Sequence, residues 1–344
     1  PTGGTGICWR GDSTPVGARR RRGLTPMAGP SSRLRAVAAR AITATGSYRA
    51  LRGPFGRVRG GFVLAYHNLP VTRFIEQITA LAPSQPIALD ELVERHAAGA
   101  PTGGLFAITF DDGVGETVRA IAAVAAARQW PVTFYLPTGY LDAPGGLPFQ
   151  WLRAIERYVP PLRLELPGET LDLTAPGAVG VFAKRMTTVM HTRPLREYAP
   201  LLRAIATALT ERRLVDPGLL VAPAAITWSE VEALARNSLV SFESHGVSHT
   251  ALAALTPDEL EHELRESQRA IAARTGKACR HFCYPYGGSA SIGDVAPAEV
   301  ARHYRSATTM ARGCLGRHAL ALLPRVPVYA RDDAALIRLK VLTA

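Results

Sequence analysis

Three short segments carry side chains that could perform hydrolytic chemistry together: Thr109-Phe110-Asp111-Asp112-Gly113, His245-Gly246-Val247-Ser248-His249 and Tyr284-Pro285-Tyr286-Gly287. They offer two carboxylates and two imidazoles. A Zn²⁺-type ion held by three such ligands keeps one coordination position open and brings the pKa of a water there to about 7.

Asp111 and Asp112 are adjacent, so their side chains leave the chain in different directions and cannot flank one glycosidic bond as a glycosidase pair must. A division of labour fits better: one carboxylate holds the ion, the other accepts a proton from its water. Gly113 allows a sharp turn after them. The spacing of four between His245 and His249 puts both rings on one face of a helical turn or of a tight loop, compatible with joint metal binding. Glu243 and Ser244 just before could orient the histidines or belong to the wall.

The elements around these segments read as repeated βα units. Apolar runs at Gly61 to Tyr66, Leu105 to Phe110, Val132 to Leu136, Leu239 to Phe242, His281 to Tyr284 and Leu322 to Val328 are strand-like, and each polar cluster follows the end of one. Parallel α/β barrels assemble their sites from such loops. Residues 115 to 129 have a helical period. Thr256-Pro257-Asp258-Glu259 is a helix start with a capping box, and the helix ends near Gly276. The rhythm breaks at about residues 144–225, where period-2 alternation around Pro167-Gly168 predicts a β-hairpin and Ala178 to Leu214 reads as helical. This stretch is an insertion packed on the barrel, either a substrate wall or purely structural.

The 344 residues, 47% hydrophobic and 20% charged, suffice for a large core. The net charge of +12 is concentrated in residues 1–60, which hold twelve arginines and one acid, Asp12, leaving residues 61–344 near neutrality. Residues 1–60 therefore read as a basic, flexible arm and 61–344 as the catalytic domain. Such an arm could touch an anionic membrane surface peripherally, and no nucleic acid is expected as partner. No run reaches the roughly 18 apolar residues of a membrane span, and Arg35 and Arg40 interrupt any signal-like segment, so a cytoplasmic or peripherally membrane-associated location is expected. Cys8, Cys279, Cys283 and Cys314 form no C-x-x-C pair and read as free thiols.

Taken together, residues 61 to 330 resemble the polysaccharide deacetylases, the chitin deacetylase and nodulation-type carbohydrate esterases. The resemblance implies an irregular (β/α) barrel with fewer than eight strands, and hydrolysis of acetyl groups on N-acetylated amino sugars of a polysaccharide or oligosaccharide. It implies Asp111 as base, Asp112, His245 and His249 as ligands of a divalent metal, most often zinc, and Tyr286 as the residue whose backbone amide helps hold the oxyanion. Two departures stand out. Many members place an arginine where this chain has Cys283, and Arg325, or less readily Arg280, is expected to replace it. The family's late histidine acid is missing, leaving His318, or His67 from the other side of the cleft. An O-acetyl ester or small amide as substrate, or a non-catalytic glycan-binding role, are the alternatives.

Overall fold

The computed structural model describes residues 60–142, 146–166, 169–212 and 224–344. Seven strands run parallel and close on one another: β1 (Phe62–Tyr66), β3 (Leu105–Phe110), β4 (Val132–Leu136), β7 (Val240–Ser244), β8 (His281–Cys283), β9 (Ser306–Arg312) and β10 (Leu323–Pro327). The ring closes because β1 pairs with both β3 and β10. A two-residue strand, β2 (Gln85–Pro86), pairs with the start of β3. This is the irregular (β/α) barrel that the sequence led us to expect.

Alternation along the strands separates two cores. Phe62, Leu64, Phe106, Ile108, Phe134, Phe242 and Phe282 face outward into a large apolar layer under the surrounding helices. Val63, Ala107, Tyr135, Cys283 and Leu323 form a second, smaller cluster with Leu89, Leu92 and Val93. These last three lie on α2 (Leu89–Ala97), which follows α1 (Val71–Thr79). Leu92 Cδ1 would stand 2.7 Å from a Cβ on Gly61, just before β1, so α2 plugs the end of the barrel where the strands begin.

Local signals place the elements well. Helix α3 (Gly115–Arg128) stops where Gln129 turns left-handed before Pro131. Further on, α7 (Trp228–Leu234) precedes β7. Helix α8 (Pro257–Thr275) starts on the Thr256/Glu259 capping box and ends on left-handed Gly276.

Between β4 and α7 the chain leaves the barrel to form α4 (Pro148–Tyr158), the hairpin β5 (Arg163–Leu166) and β6 (Glu169–Asp172), α5 (Ala178–Thr192) and α6 (Leu195–Glu211). The single helical stretch expected here is two helices, because Pro194 provides no amide hydrogen to continue the ladder. The segment has its own core of Leu152, Ile155, Leu164, Phe182, Met186, Tyr198, Leu202 and Ile205, with Tyr286 of the barrel packed against it. After β8 come α9 (Ser289–Ile292) and α10 (Ala296–His303), and α11 (Ala334–Leu342) ends the chain. Among the described residues no helix is long and apolar enough to cross a membrane. The basic arm lies outside the described residues.

Candidate metal centre

All three polar segments emerge at the same end of the barrel, beyond the strand termini. Asp111 follows β3, and its amide donates to the Tyr66 carbonyl at 2.9 Å, which sets His67 beside it. His245 follows β7, its amide bonded to the Leu136 carbonyl at 2.9 Å. The Tyr284 to Gly287 turn follows β8. Asp112, His249 and Tyr286 all have left-handed backbones, with φ of 72°, 56° and 62°. Non-glycine residues held there store strain of about 1–3 kcal/mol, which persists only where the surroundings enforce it.

The histidine pair sits in a loop, and a buried glutamate shapes it. Glu263, on α8, accepts the amide hydrogens of Val247 at 2.7 Å and Ser248 at 3.0 Å. A Cβ at Gly246, whose φ is 79°, would stand 2.8 Å from the same carboxylate, so only glycine fits beneath it. Neither Glu243 nor Ser244 orients an imidazole. Glu243 accepts the amides of Arg280 and His281 at 2.7 Å, tying β7 to β8, and Ser244 bonds Ser267 at 2.7 Å.

His245 is held instead through Nδ1, 2.7 Å from the Cys283 carbonyl. A carbonyl only accepts, so Nδ1 carries the proton. Burial, with His249 adding to it, pushes the His245 pKa down to about 4, so the ring is neutral at pH 7 and Nε2 carries a free lone pair. That lone pair is on the side of Asp112.

Nε2 of His245 lies 3.7 Å and Nε2 of His249 3.5 Å from Asp112 Oδ1, too long for good hydrogen bonds. Two ligands about 2.0–2.1 Å from a tetrahedral ion stand about 3.3 Å apart, so the gap is close to that of a shared ion. Asp112, His245 and His249 are all buried, and the rings of the histidines meet edge to face at 4.7 Å. Burial would raise the Asp112 pKa, but the three histidines His249, His67 and His245 reverse this and keep it ionised. Asp111, His245 and Cys283 form an overlapping set. It fits an ion less well, because burial raises the Cys283 thiol well above its ordinary pKa and Asp111 is already engaged.

Arg325 engages Asp111. From β10 its guanidinium donates to both carboxylate oxygens, Nη1 to Oδ1 at 2.7 Å and Nη2 to Oδ2 at 2.8 Å, and Nε donates to the Thr309 carbonyl at 3.0 Å. Burial opposes ionisation of Asp111, yet Arg325 holds the carboxyl well below the usual range. Nη2 also reaches Cys283 Sγ at 3.1 Å, the place where the resemblance leads one to expect an arginine. Arg280 is elsewhere: it pairs with Asp90 on α2 at 2.7 Å, at the plugged end of the barrel.

The two late-acid candidates separate cleanly. His67 Nε2 is 3.8 Å from Asp111 Oδ2, with the side chain 43% exposed. His318 is exposed at the opposite end, where Leu315 bonds the Gly61 carbonyl and the His318 carbonyl meets His96 of α2. The expectation that His318 serves the site is therefore corrected: the turn carrying it packs where the strands start.

Sequence reading missed two residues beside His249 and Tyr286. Phe149 of α4 lies 5.4 Å from the His249 ring, and His191 of α5 packs 4.5 Å from Tyr286, which itself stands edge-on 4.9 Å from His249. Burial, then His249, lowers the His191 pKa, so this ring is neutral as well. Glu263 did leave a signal, since it occupies the buried stripe of α8 with Leu260, Leu264, Ser267 and Ile271.

With this geometry in hand, comparison decides the family. A sequence model of the polysaccharide deacetylases matches residues 98–302, which span β3, β4, the histidine loop and the Tyr-Pro-Tyr-Gly turn. The chain belongs to the polysaccharide deacetylase family. No curated protein sequence matches it. Solved structures share the fold at low identity. PplD of Streptococcus pyogenes, in complex with acetate, is 14% identical with a TM-score of 0.53 over 82% of this chain and 98% of that one. BC0361 of Bacillus cereus, a polysaccharide deacetylase, is 16% identical with a TM-score of 0.52 over 83% and 70%. IcaB of Ammonifex degensii is 16% identical with a TM-score of 0.51 over 83% and 97%. This polysaccharide deacetylase brings Asp112, His245 and His249 together and places the buried Arg325 of β10 beside Cys283.

Proposed function

We propose that the protein is a metal-dependent hydrolase that removes acetyl groups from N-acetylated amino sugars of a polysaccharide. The observation that carries this is the protonation state imposed on His245: Nδ1 donates to Cys283, so Nε2 offers its lone pair toward Asp112 Oδ1 at 3.7 Å, with His249 at 3.5 Å. One carboxylate and two neutral imidazoles suit zinc.

Asp111 is the base. Its fork with Arg325 uses one lone pair on each oxygen and fixes the plane of the carboxylate, leaving the second pairs free to take a proton from the attacking water. A carboxylate held so far below its usual pKa is a weak base and needs a strongly acidified water, which is the Lewis-acid chemistry that Zn²⁺ bound by Asp112, His245 and His249 would supply. As the water oxygen bonds to the acetyl carbon, negative charge develops on the carbonyl oxygen, and the Tyr286 amide is the backbone donor assigned to it. Breaking the C–N bond requires a proton on the leaving nitrogen. We assign that proton to His67, whose Nε2 lies 3.8 Å from Asp111 Oδ2 and whose side chain is open to solvent.

The Arg325 fork also favours a catalytic over a scaffold reading, since the buried arginine that the Cys283 position lacks is present from β10. Acetate release from defined N-acetyl and O-acetyl glycans, with metal removed and restored, tests the proposal. Release from the N-acetyl set that stops on chelation is expected; no release from any glycan with metal bound would overturn it. The membrane contact assigned to the arm is a separate proposal, tested by liposome binding with and without residues 1–60.

A further inference from the structure

The segment between β4 and α7 is more than a decoration of the barrel. Helix α5 packs against the short turn after His249 and against α9, which follows Gly287. It thereby brings His191, one residue before its end, onto the ring of Tyr286 at 4.5 Å, while that ring stands 4.9 Å from His249. His191 is half-buried, and neither of its ring nitrogens forms a hydrogen bond among the described residues. A ring that is fixed on one face, wetted at its edge and free of partners on both nitrogens is equipped to bind a polar ligand. Hydroxyl groups of a sugar, which donate and accept, match one N–H and one lone pair.

Building on the hydrolase reading, we propose that His191 is a glycan-binding residue: its ring, seated on Tyr286 beside the metal ligands, hydrogen-bonds a hydroxyl of the sugar presented to the site. The segment carrying α5 thus selects the substrate. The chemical class recognised is a hexosamine unit with a free hydroxyl near its acetamido group.

The test uses the full chain and β-1,4- and β-1,6-linked N-acetylglucosamine tetramers, with binding followed by titration calorimetry and turnover by acetate release. Three variants separate hydrogen bonding from packing: His191→Ala, His191→Phe, which keeps a ring on Tyr286, and His191→Gln, which keeps a donor and an acceptor. Loss of one or two neutral hydrogen bonds should weaken binding and raise KM about tenfold in the Ala and Phe variants, with kcat changed much less, and Gln should recover most of it. Bound metal per chain should stay at the wild-type value in all three. Wild-type affinity in the Ala variant, rescue by Phe instead of Gln, or failure of the wild-type protein to bind either tetramer would overturn the proposal. Binding that depends on His191 without acetate release would instead overturn the hydrolase reading and leave this one standing.

Discussion

The guanidinium of Arg325 forks onto the carboxylate of Asp111 across 214 residues of sequence, with both partners buried. Two charges out of water hold together only with complete pairing, and here Thr109, Thr309, Cys283 and Met310 take the remaining contacts of the fork. The same pair fixes the orientation of the proposed base.

Removing Arg325 should therefore cost stability as well as turnover. Arg325→Ala leaves a buried carboxylate unpaired, and urea unfolding should register a loss of about 3–5 kcal/mol. A loss under about 1 kcal/mol would mean that the pair is dispensable. Because Nη2 touches Cys283 Sγ, adding Cys283→Arg to that variant should recover part of both stability and acetate release.

His67→Gln should lower kcat by about 10²–10⁴, the usual contribution of a general acid, while metal content holds. His318→Gln should leave kcat at the wild-type value, since that residue sits at the other end of the barrel. Steady-state kinetics on one N-acetyl glycan checks both, and equal effects would refute the assignment.

Glu263→Ala removes the acceptor for the Val247 and Ser248 amides and frees the loop between His245 and His249, the proposed ligands. Supporting contacts of this kind are worth about 10–100-fold in metal affinity. Competition with a chromogenic chelator should show a drop of that size, and an unchanged affinity would show that the loop holds its shape without the carboxylate.

The pH dependence of the metal-free protein has a definite sign. His245 titrates near 4 when folded and near 6.5 when unfolded, so between those values the unfolded chain binds more protons and stability falls as the solution is acidified. The full shift is worth about 3 kcal/mol. Asp111, also lowered on folding, adds to the loss once the pH drops below the ordinary carboxylate pKa. Denaturation midpoints at pH 7 and pH 4.5 should differ in this direction, and His245→Gln should flatten the upper part of the trend.

Much of this was legible in the sequence because it is local. Strand ends, the Thr256 capping box and the order of the three polar segments follow from short patterns, and β3 and β4 run over the residues that their apolar runs mark. Long-range placement was harder. Arg325 was one of two candidates until the barrel closed β10 onto β1, and His318 looked eligible only because chain order says nothing about which end of a barrel a turn occupies. Strand β9 escaped because Ser306-Ala307-Thr308-Thr309 is buried without being strongly apolar. His191 and Phe149 left no pattern, since their roles arise only when one core packs on another.

Elemental analysis of the purified protein and four variants bears most directly on the metal centre. The wild type and Asp111→Asn should each carry about one equivalent of a divalent ion, as expected for a single site. Asp112→Asn, His245→Ala and His249→Ala should carry almost none. Full occupancy after loss of either histidine, or loss of the ion from Asp111→Asn with retention in Asp112→Asn, would contradict the assignment of ligands and base.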